Sequence, residues 1–110
     1  MGIARGDVVI VASRGAYTGK PRPALVLQAD LFNDTHASLT ICPITSDVID
    51  APLFRINVPP GARTGLAAAS QVMVDKIVSV PRVAVGKRIG RCDASEIQLV
   101  DDALRGWLAI

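Results

Sequence analysis

The chain has 110 residues, of which 50% are hydrophobic and 20% are charged, and its net charge is +2 at neutral pH. This composition predicts a globular protein and excludes a disordered chain, which has few apolar residues and a high net charge. No apolar run reaches the roughly 18 residues of a membrane helix, and the N-terminus lacks the apolar segment of a secretory signal, so we expect a cytoplasmic protein without membrane contact.

The strands are predicted from short β-branched or apolar runs that end at turn residues. A single helical turn is predicted at Asp30–Asn33. In residues 53–58, the apolar side chains of Phe54, Ile56 and Val58 alternate with Arg55 and Asn57, so we expect one buried and one polar face. The predicted strands cover residues 8–12, 24–28, 38–44, 53–58, 71–74, 77–80 and 88–92.

The C-terminal segment predicts an amphipathic helix. Asp93 can act as the N-cap, and Glu96 follows three residues later as its reciprocal capping partner. The spacing of the apolar residues after this cap predicts one buried face, which includes Trp107 as a core residue. Asp101 and Arg105 are expected to form an i,i+4 pair on the opposite side. The apolar face consists of Ile97, Val100, Leu104, Trp107 and Leu108.

Many short strands and one terminal helix predict a mainly β fold, a small and partly open β-barrel formed by one domain over residues 1–110. Periodicity alone does not distinguish this barrel from other small β-rich folds. We expect the isolated cysteines, Cys42 and Cys92, to be reduced and buried rather than joined in a disulfide. Because no His/Cys pair has ligand spacing and the carboxylates are scattered, we expect neither a metal site nor a cofactor.

Two segments place a group that can bind phosphate at the end of an apolar strand: Lys20-Pro21-Arg22-Pro23-Ala24-Leu25-Val26-Leu27 and Ile41-Cys42-Pro43-Ile44-Thr45-Ser46. The two prolines limit the backbone around Arg22, whose guanidinium can grip phosphate oxygens as a fork. If the two strands are neighbours, Arg22 and Thr45 can converge on one phosphate. The structural alternatives are an arginine that pairs with a carboxylate and a threonine that bonds within its own turn.

In these segments the chain resembles the MazF/PemK toxin family, the sequence-selective endoribonucleases of toxin–antitoxin pairs. Cys42-Pro43-Ile44-Thr45-Ser46 is similar to the family's "PITS"-type segment. Further similar segments follow in the family's order over nearly the whole chain. They are residues 5–11, 20–30, 65–66, 70–77 and 89–91.

The resemblance implies an SH3-like barrel that pairs as a homodimer, with Arg22 and Thr45 as the catalytic pair. It implies metal-independent cleavage of single-stranded RNA, chiefly messenger RNA, to 2′,3′-cyclic phosphate and 5′-hydroxyl ends. The implied partner is an antitoxin whose acidic, partly disordered tail covers the groove, and through that complex the toxin would meet DNA indirectly. Apolar residues beyond what the helix can cover favour the homodimer; they are Phe32, Leu53, Phe54, Val72, Met73, Val83 and Val85.

The RNA contacts are expected around the first loop and the end of the third strand. For Gln71, a structural place at a strand edge is an equally good explanation. The expected RNA-binding residues are Arg14, Tyr17, Lys20, Ser46 and Gln71. The lone histidine, His36, matches no family motif and is expected in a surface loop.

The chain departs from the family in the loop before Arg22. Many members carry a Glu-Gln pair there, whereas this sequence has Tyr17-Thr18, and this leaves the general base open because a tyrosine is a weak base at neutral pH. The alternatives are a non-catalytic module that binds a partner, such as the gyrase poisons on the same fold, and an inactive paralogue. The Arg22 and Thr45 pair favours the nuclease.

Overall fold

The computed structural model describes residues 2–12 and 20–110, and the predicted RNA contacts Arg14 and Tyr17 lie outside them. All strand pairs in the described residues are antiparallel. No helix in this part of the chain is long and apolar enough to cross a membrane. In chain order the elements are β1 (Asp7–Val11), β2 (Arg22–Val26), α1 (Asp30–Asn33), β3 (Ser38–Thr45), β4 (Arg55–Val58), β5 (Ser70–Met73), β6 (Val78–Pro81), β7 (Val85–Arg91) and α2 (Ala94–Leu108).

The sheet is mainly organised by β3, whose eight residues pair with three other strands. Its first half pairs with β6, and its last residues, Ile44 and Thr45, pair with β5 on the same edge. The strand order is β4-β5-β3-β2-β1-β7, with β6 beside β3. Because the end strands β4 and β7 do not pair within the described residues, the sheet is not closed, as the prediction of a partly open barrel required.

Each face of the sheet carries its own apolar cluster, because successive side chains of a strand point to opposite faces. Val8, Leu25 and Cys42 belong to the first face, on which α2 packs through the fully buried Val100. Ala24 and the other residues of the second cluster lie on the opposite face. This second cluster consists of Val9, Val11, Ala24, Val26, Leu39, Ile41 and Val80.

The start of α2 is fixed by the predicted capping box. The Asp93 carboxylate accepts the backbone N–H of Glu96 at 2.8 Å, and the Glu96 carboxylate accepts that of Asp93 at the same distance. The hydrogen bond from Glu96 N–H also holds the pKa of Asp93 below its usual value. Arg63 donates two hydrogen bonds to Glu96, at 2.7 and 3.0 Å, and so ties the loop before β5 to this helix end.

Two predictions about the rest of α2 are wrong. Trp107 is half exposed and contacts the Phe54 ring at a centroid distance of 5.9 Å, so it lies at the rim of the core. Asp101 does not pair with Arg105, since it binds the guanidinium of Arg5 across the fold. Arg105 pairs instead with Asp102 at 3.0 Å. The cause is tertiary, because Asp101 lies on the side of the helix that faces the N-terminal segment.

The surplus of apolar residues is smaller than the sequence indicated. Val72 and Met73 are buried inside the chain, at 0% and 9% exposure, so they offer nothing to a second copy. Val83, Leu53 and Phe32 do remain on the surface.

Both cysteines are free and buried. Burial raises the pKa of each thiol to about 12, so Cys42 and Cys92 stay protonated at neutral pH. The single histidine, His36, is exposed after α1, as predicted.

Candidate active site

The register of the strands brings Arg22 and Thr45 together. Ala24 of β2 pairs with Pro43 of β3, and the same register continued by two residues sets Arg22 opposite Thr45. On its other side Thr45 pairs with Gln71 of β5. Residues that lie opposite each other in an antiparallel pair project from the same face of the sheet. Arg22, Thr45 and Gln71 therefore form one row across three neighbouring strands, on the face that α2 leaves uncovered.

A cleft of about 680 Å³ opens over Arg22 and Thr45 of this row, and Gln71 is not among its lining residues. It contains the predicted residues Arg22, Thr45 and Ser46, whereas Lys20 is exposed nearby and is not among its lining residues. Its other polar side chains bring a carboxylate, a hydroxyl and two further cations into the same space. These are Asp47, Ser70, Arg55 and Lys76.

The Thr45 hydroxyl has one hydrogen bond to the part of the chain that the structure describes. Its oxygen accepts the backbone N–H of Asp47 at 3.0 Å, so the turn-forming role considered from the sequence is observed. This bond uses the hydroxyl as an acceptor and leaves its own proton for donation. The hydroxyl of Thr45 is therefore oriented by the turn and can still donate to an anion in the cleft.

Arg22 begins β2 between Pro21 and Pro23, and its side chain is exposed at the cleft. None of the ion pairs among the described residues involves it. Within the described part of the chain, Arg22 therefore does not pair with a carboxylate, which was the structural alternative considered from the sequence. A guanidinium in this position can bind the oxygens of a phosphate that enters the cleft.

Gln71 is a buried part of the framework under the cleft. Its Oε1 accepts the N–H of Ile49 at 3.1 Å, and its Nε2 donates to the Ile49 carbonyl at 2.8 Å and to Asn57 Oδ1 at 3.0 Å. Its side chain is therefore occupied within the protein, although Gln71 lies in an interior strand, between β3 and β4, and not at the strand edge considered from the sequence. Direct binding of RNA by Gln71 stays a prediction.

Arg55 and Lys76 were not assigned to the site from the sequence. The alternation in residues 53–58 correctly predicted that Arg55 lies on the polar face of β4, since Ile56 and Val58 are buried on the other. What the pattern lacked was the order of the strands, which separates β4 from the end of β3 by only one strand, β5.

The described residues hold no group of three or more His, Cys, Asp or Glu side chains that could bind a metal ion. The polar groups that the described residues bring to the cleft are cations, hydroxyls and the Asp47 carboxylate. Such a set can bind an anionic strand and stabilise negative charge that grows on it.

Comparison with known proteins gives one family. Residues 4–108 match the family described as the PemK-like, MazF-like toxin of type II toxin–antitoxin systems. A protein of Mycolicibacterium smegmatis named a probable endoribonuclease MazF is 46% identical over 106 residues, which are 96% of each chain.

Solved structures support the same fold. The crystal structure of MazF from Deinococcus radiodurans matches with a TM-score of 0.83 at 23% identity, and the match covers 100% of this chain and 99% of that one. An endoribonuclease in complex with its cognate antitoxin, from a mycobacterial species, matches with a TM-score of 0.81 at 19% identity over 98% of this chain and 96% of that one.

Proposed function

Because the chain belongs to the PemK-like, MazF-like toxin family of type II toxin–antitoxin systems, we propose that it cleaves single-stranded RNA, chiefly messenger RNA, at a short recognition sequence. The relative with 46% identity is named as an endoribonuclease, which supports this activity. The family match covers residues 4–108, so we treat 1–110 as one toxin domain.

The observation that carries the proposal is the common cleft of Arg22 and Thr45, which stand opposite each other on adjacent strands. In metal-independent cleavage, the ribose 2′-hydroxyl attacks its own phosphate, and negative charge grows on the phosphoryl oxygens. Arg22 supplies a positive charge and a two-pronged donor to those oxygens. Thr45 adds a neutral hydrogen bond from the proton that its turn leaves available.

The reaction also needs a proton acceptor for the 2′-hydroxyl and a proton donor for the leaving 5′-oxygen. Arg22 is unsuited to accept the proton, because a guanidinium carries only hydrogen-bond donors and no acceptor. The products of this chemistry are a 2′,3′-cyclic phosphate and a 5′-hydroxyl, and no metal ion is required for it.

The proposed partner is an antitoxin. The mycobacterial endoribonuclease of matching fold was solved with its cognate antitoxin, which supports an antitoxin for this chain as well. An acidic tail would suit the cleft, whose lining includes Arg22, Arg55 and Lys76. Contact with DNA would be indirect, through the antitoxin.

We also propose a homodimer that builds its RNA groove from loops of both copies. Exposed apolar side chains support it: Val83, Leu53 and Leu31 are 97%, 84% and 81% exposed. Such residues on a small protein favour an interface. Light scattering at micromolar concentration tests the assembly, and a monomer that cuts RNA at the full rate would contradict the shared groove.

Incubation of the purified protein with a long RNA, followed by mapping of the new 5′ ends, tests the activity. We expect cuts within a short recurring sequence, with no loss of rate in EDTA. The new 3′ ends should resist ligation until the cyclic phosphate is opened. Arg22→Ala should slow the cuts by about 10²–10³, whereas Arg105→Ala, on the surface of α2, should retain the wild-type rate. RNA left intact by the wild type and by Arg105→Ala would contradict the proposal. Cleavage that depends on added magnesium would also contradict it.

A further inference from the structure

A second arginine faces the cleft at the far side from Arg22. Arg55 begins β4 opposite Met73 of β5, and both residues line the cleft. The strand order β2-β3-β5-β4 puts three strand spacings, about 14 Å, between the strands of Arg22 and Arg55. Arg55 also lies two residues along β4 from Asn57, which pairs with Gln71 of the row. The two arginines therefore reach into the same cleft from opposite sides.

The hydrogen bonds of Arg55 to described residues leave most of its donors unused. Its Nη1 donates to the Asp47 carbonyl and to Gln71 Oε1, both at 3.3 Å, which is long for a hydrogen bond from a charged group. Its Nε is buried and has no acceptor in residues 2–12 and 20–110. Both acceptors are neutral, so the two bonds orient the guanidinium without compensating its charge.

Five other arginines of the chain each form an ion pair with a carboxylate. Arg5 pairs with Asp101, Arg63 with Glu96, and Arg105 with Asp102. Arg88 and Arg91 share the buried Asp7. Arg55 has no carboxylate within ion-pair distance among the described residues, although it is partly buried. A partly buried charge without a counter-charge is unfavourable, and an anion that enters the cleft would relieve this.

From this arrangement we propose that Arg55 binds a second phosphate of the RNA strand, next to the one held by Arg22 and Thr45. The inference rests on the proposed function, because it takes the cleft as the path of the RNA. A nucleic-acid strand is favoured over an acidic peptide because it carries anions at regular intervals. Two phosphates of one strand can therefore bind the two arginines while the strand passes Thr45. Arg55 touches no reacting atom in this arrangement, so it acts in binding rather than in chemistry.

The test compares Arg55→Gln with the matched control Arg105→Gln, which removes an arginine outside the cleft. The probe is a 2′-O-methyl oligoribonucleotide, which the protein can bind and cannot cut. Loss of a charge-assisted hydrogen bond should weaken binding about ten- to a hundredfold for Arg55→Gln. The slope of log affinity against log salt should become shallower by about 0.7, the value for one phosphate of a single strand. Arg105→Gln should match the wild type in affinity and in the slope against salt.

Kinetics on a cleavable RNA separate binding from chemistry. We expect Arg55→Gln to raise KM about as much as it weakens binding and to leave kcat within about twofold. If the variant folds poorly, NMR spectra of the wild-type protein provide the test. The guanidinium signals of Arg55 should shift when the oligonucleotide is added, and those of Arg105 should not.

The outcomes distinguish this inference from the proposed function. Arg55-dependent oligonucleotide binding by a wild-type protein that cuts no RNA would support the phosphate site and reject the nuclease. RNA cleavage by the wild type, with affinity and salt slope unchanged in Arg55→Gln, would reject the site alone. If Arg55→Gln weakened the binding of a polyglutamate peptide and left oligonucleotide binding unchanged, Arg55 would belong to a site for an acidic partner. This result would also reject the phosphate site.

Discussion

Gln71 holds Ile49 by both atoms of its amide, because Ile49 N–H donates to Oε1 at 3.1 Å and Nε2 donates to the Ile49 carbonyl at 2.8 Å. A side chain here makes the pair of bonds that a neighbouring strand would make. The segment between β3 and β4 is thereby fixed against the sheet. This segment includes Asp47, whose N–H orients the Thr45 hydroxyl, so Gln71 supports the site from below.

The first prediction concerns this support. Gln71→Ala should lower the free energy of unfolding by about 1–3 kcal/mol, because it leaves buried donors and acceptors without partners. Chemical denaturation measures the change, and Gln98→Ala on the exposed side of α2 is the control. If Gln71→Ala were as stable as the control and bound RNA less well, Gln71 would act by direct contact.

The second prediction concerns Arg22. Arg22→Ala should reduce the cleavage rate by about 10²–10³, because a preorganised donor to the growing charge is lost. Its exposed side chain contributes little to stability, so the melting temperature should stay close to that of the wild type. Single-turnover cleavage of a mapped RNA gives the rate. Nearly wild-type cleavage by a folded Arg22→Ala protein would remove Arg22 from the mechanism.

The third prediction separates the two roles of Thr45. Thr45→Ala loses both the bond from Asp47 N–H and the donor to phosphate, and should reduce the rate less than Arg22→Ala, because a neutral hydrogen bond is weaker than a charged one. Thr45→Ser keeps the hydroxyl and should retain most activity. Equal losses in the two variants would mean that the threonine methyl group, rather than the hydroxyl, matters.

The fourth prediction compares two glycines. Gly65 has φ +74°, and an added Cβ would lie 2.1 Å from the Ile89 carbonyl oxygen, so Gly65→Ala should destabilise the protein by at least about 2 kcal/mol. Gly106 lies in α2 with open space around it, and Gly106→Ala should stabilise it by about 0.5–1 kcal/mol. Thermal unfolding of both variants checks the opposite signs.

The fifth prediction concerns the cysteines. Since burial raises the pKa of Cys42 and Cys92 to about 12, native protein should resist thiol reagents at pH 8 and react quickly once unfolded. The folded thiols bind protons more tightly than the unfolded ones, whose pKa is near 9. Their contribution to stability is therefore complete below about pH 9 and falls as the pH rises towards 12. Rapid labelling of the folded protein at pH 8 would contradict this.

Local patterns in the sequence predicted the elements whose interactions span only a few residues. The capping box of Asp93 and Glu96 was predicted because both partners lie within one helical turn. The buried face of β4 followed from alternation alone. The pairing of Arg22 with Thr45 was predicted only on the condition that their strands are neighbours, and the register meets that condition.

The sequence by itself therefore determined a mainly β chain with a capped terminal helix and a candidate arginine–threonine pair. Only the tertiary structure decided that Asp101 binds Arg5, 96 positions away, instead of Arg105, and that Gln71 clasps Ile49. It also decided that Arg55 enters the same cleft as Arg22. These contacts depend on the order and register of strands that are distant in the chain, and the spacing of residues within one segment carries no information about either.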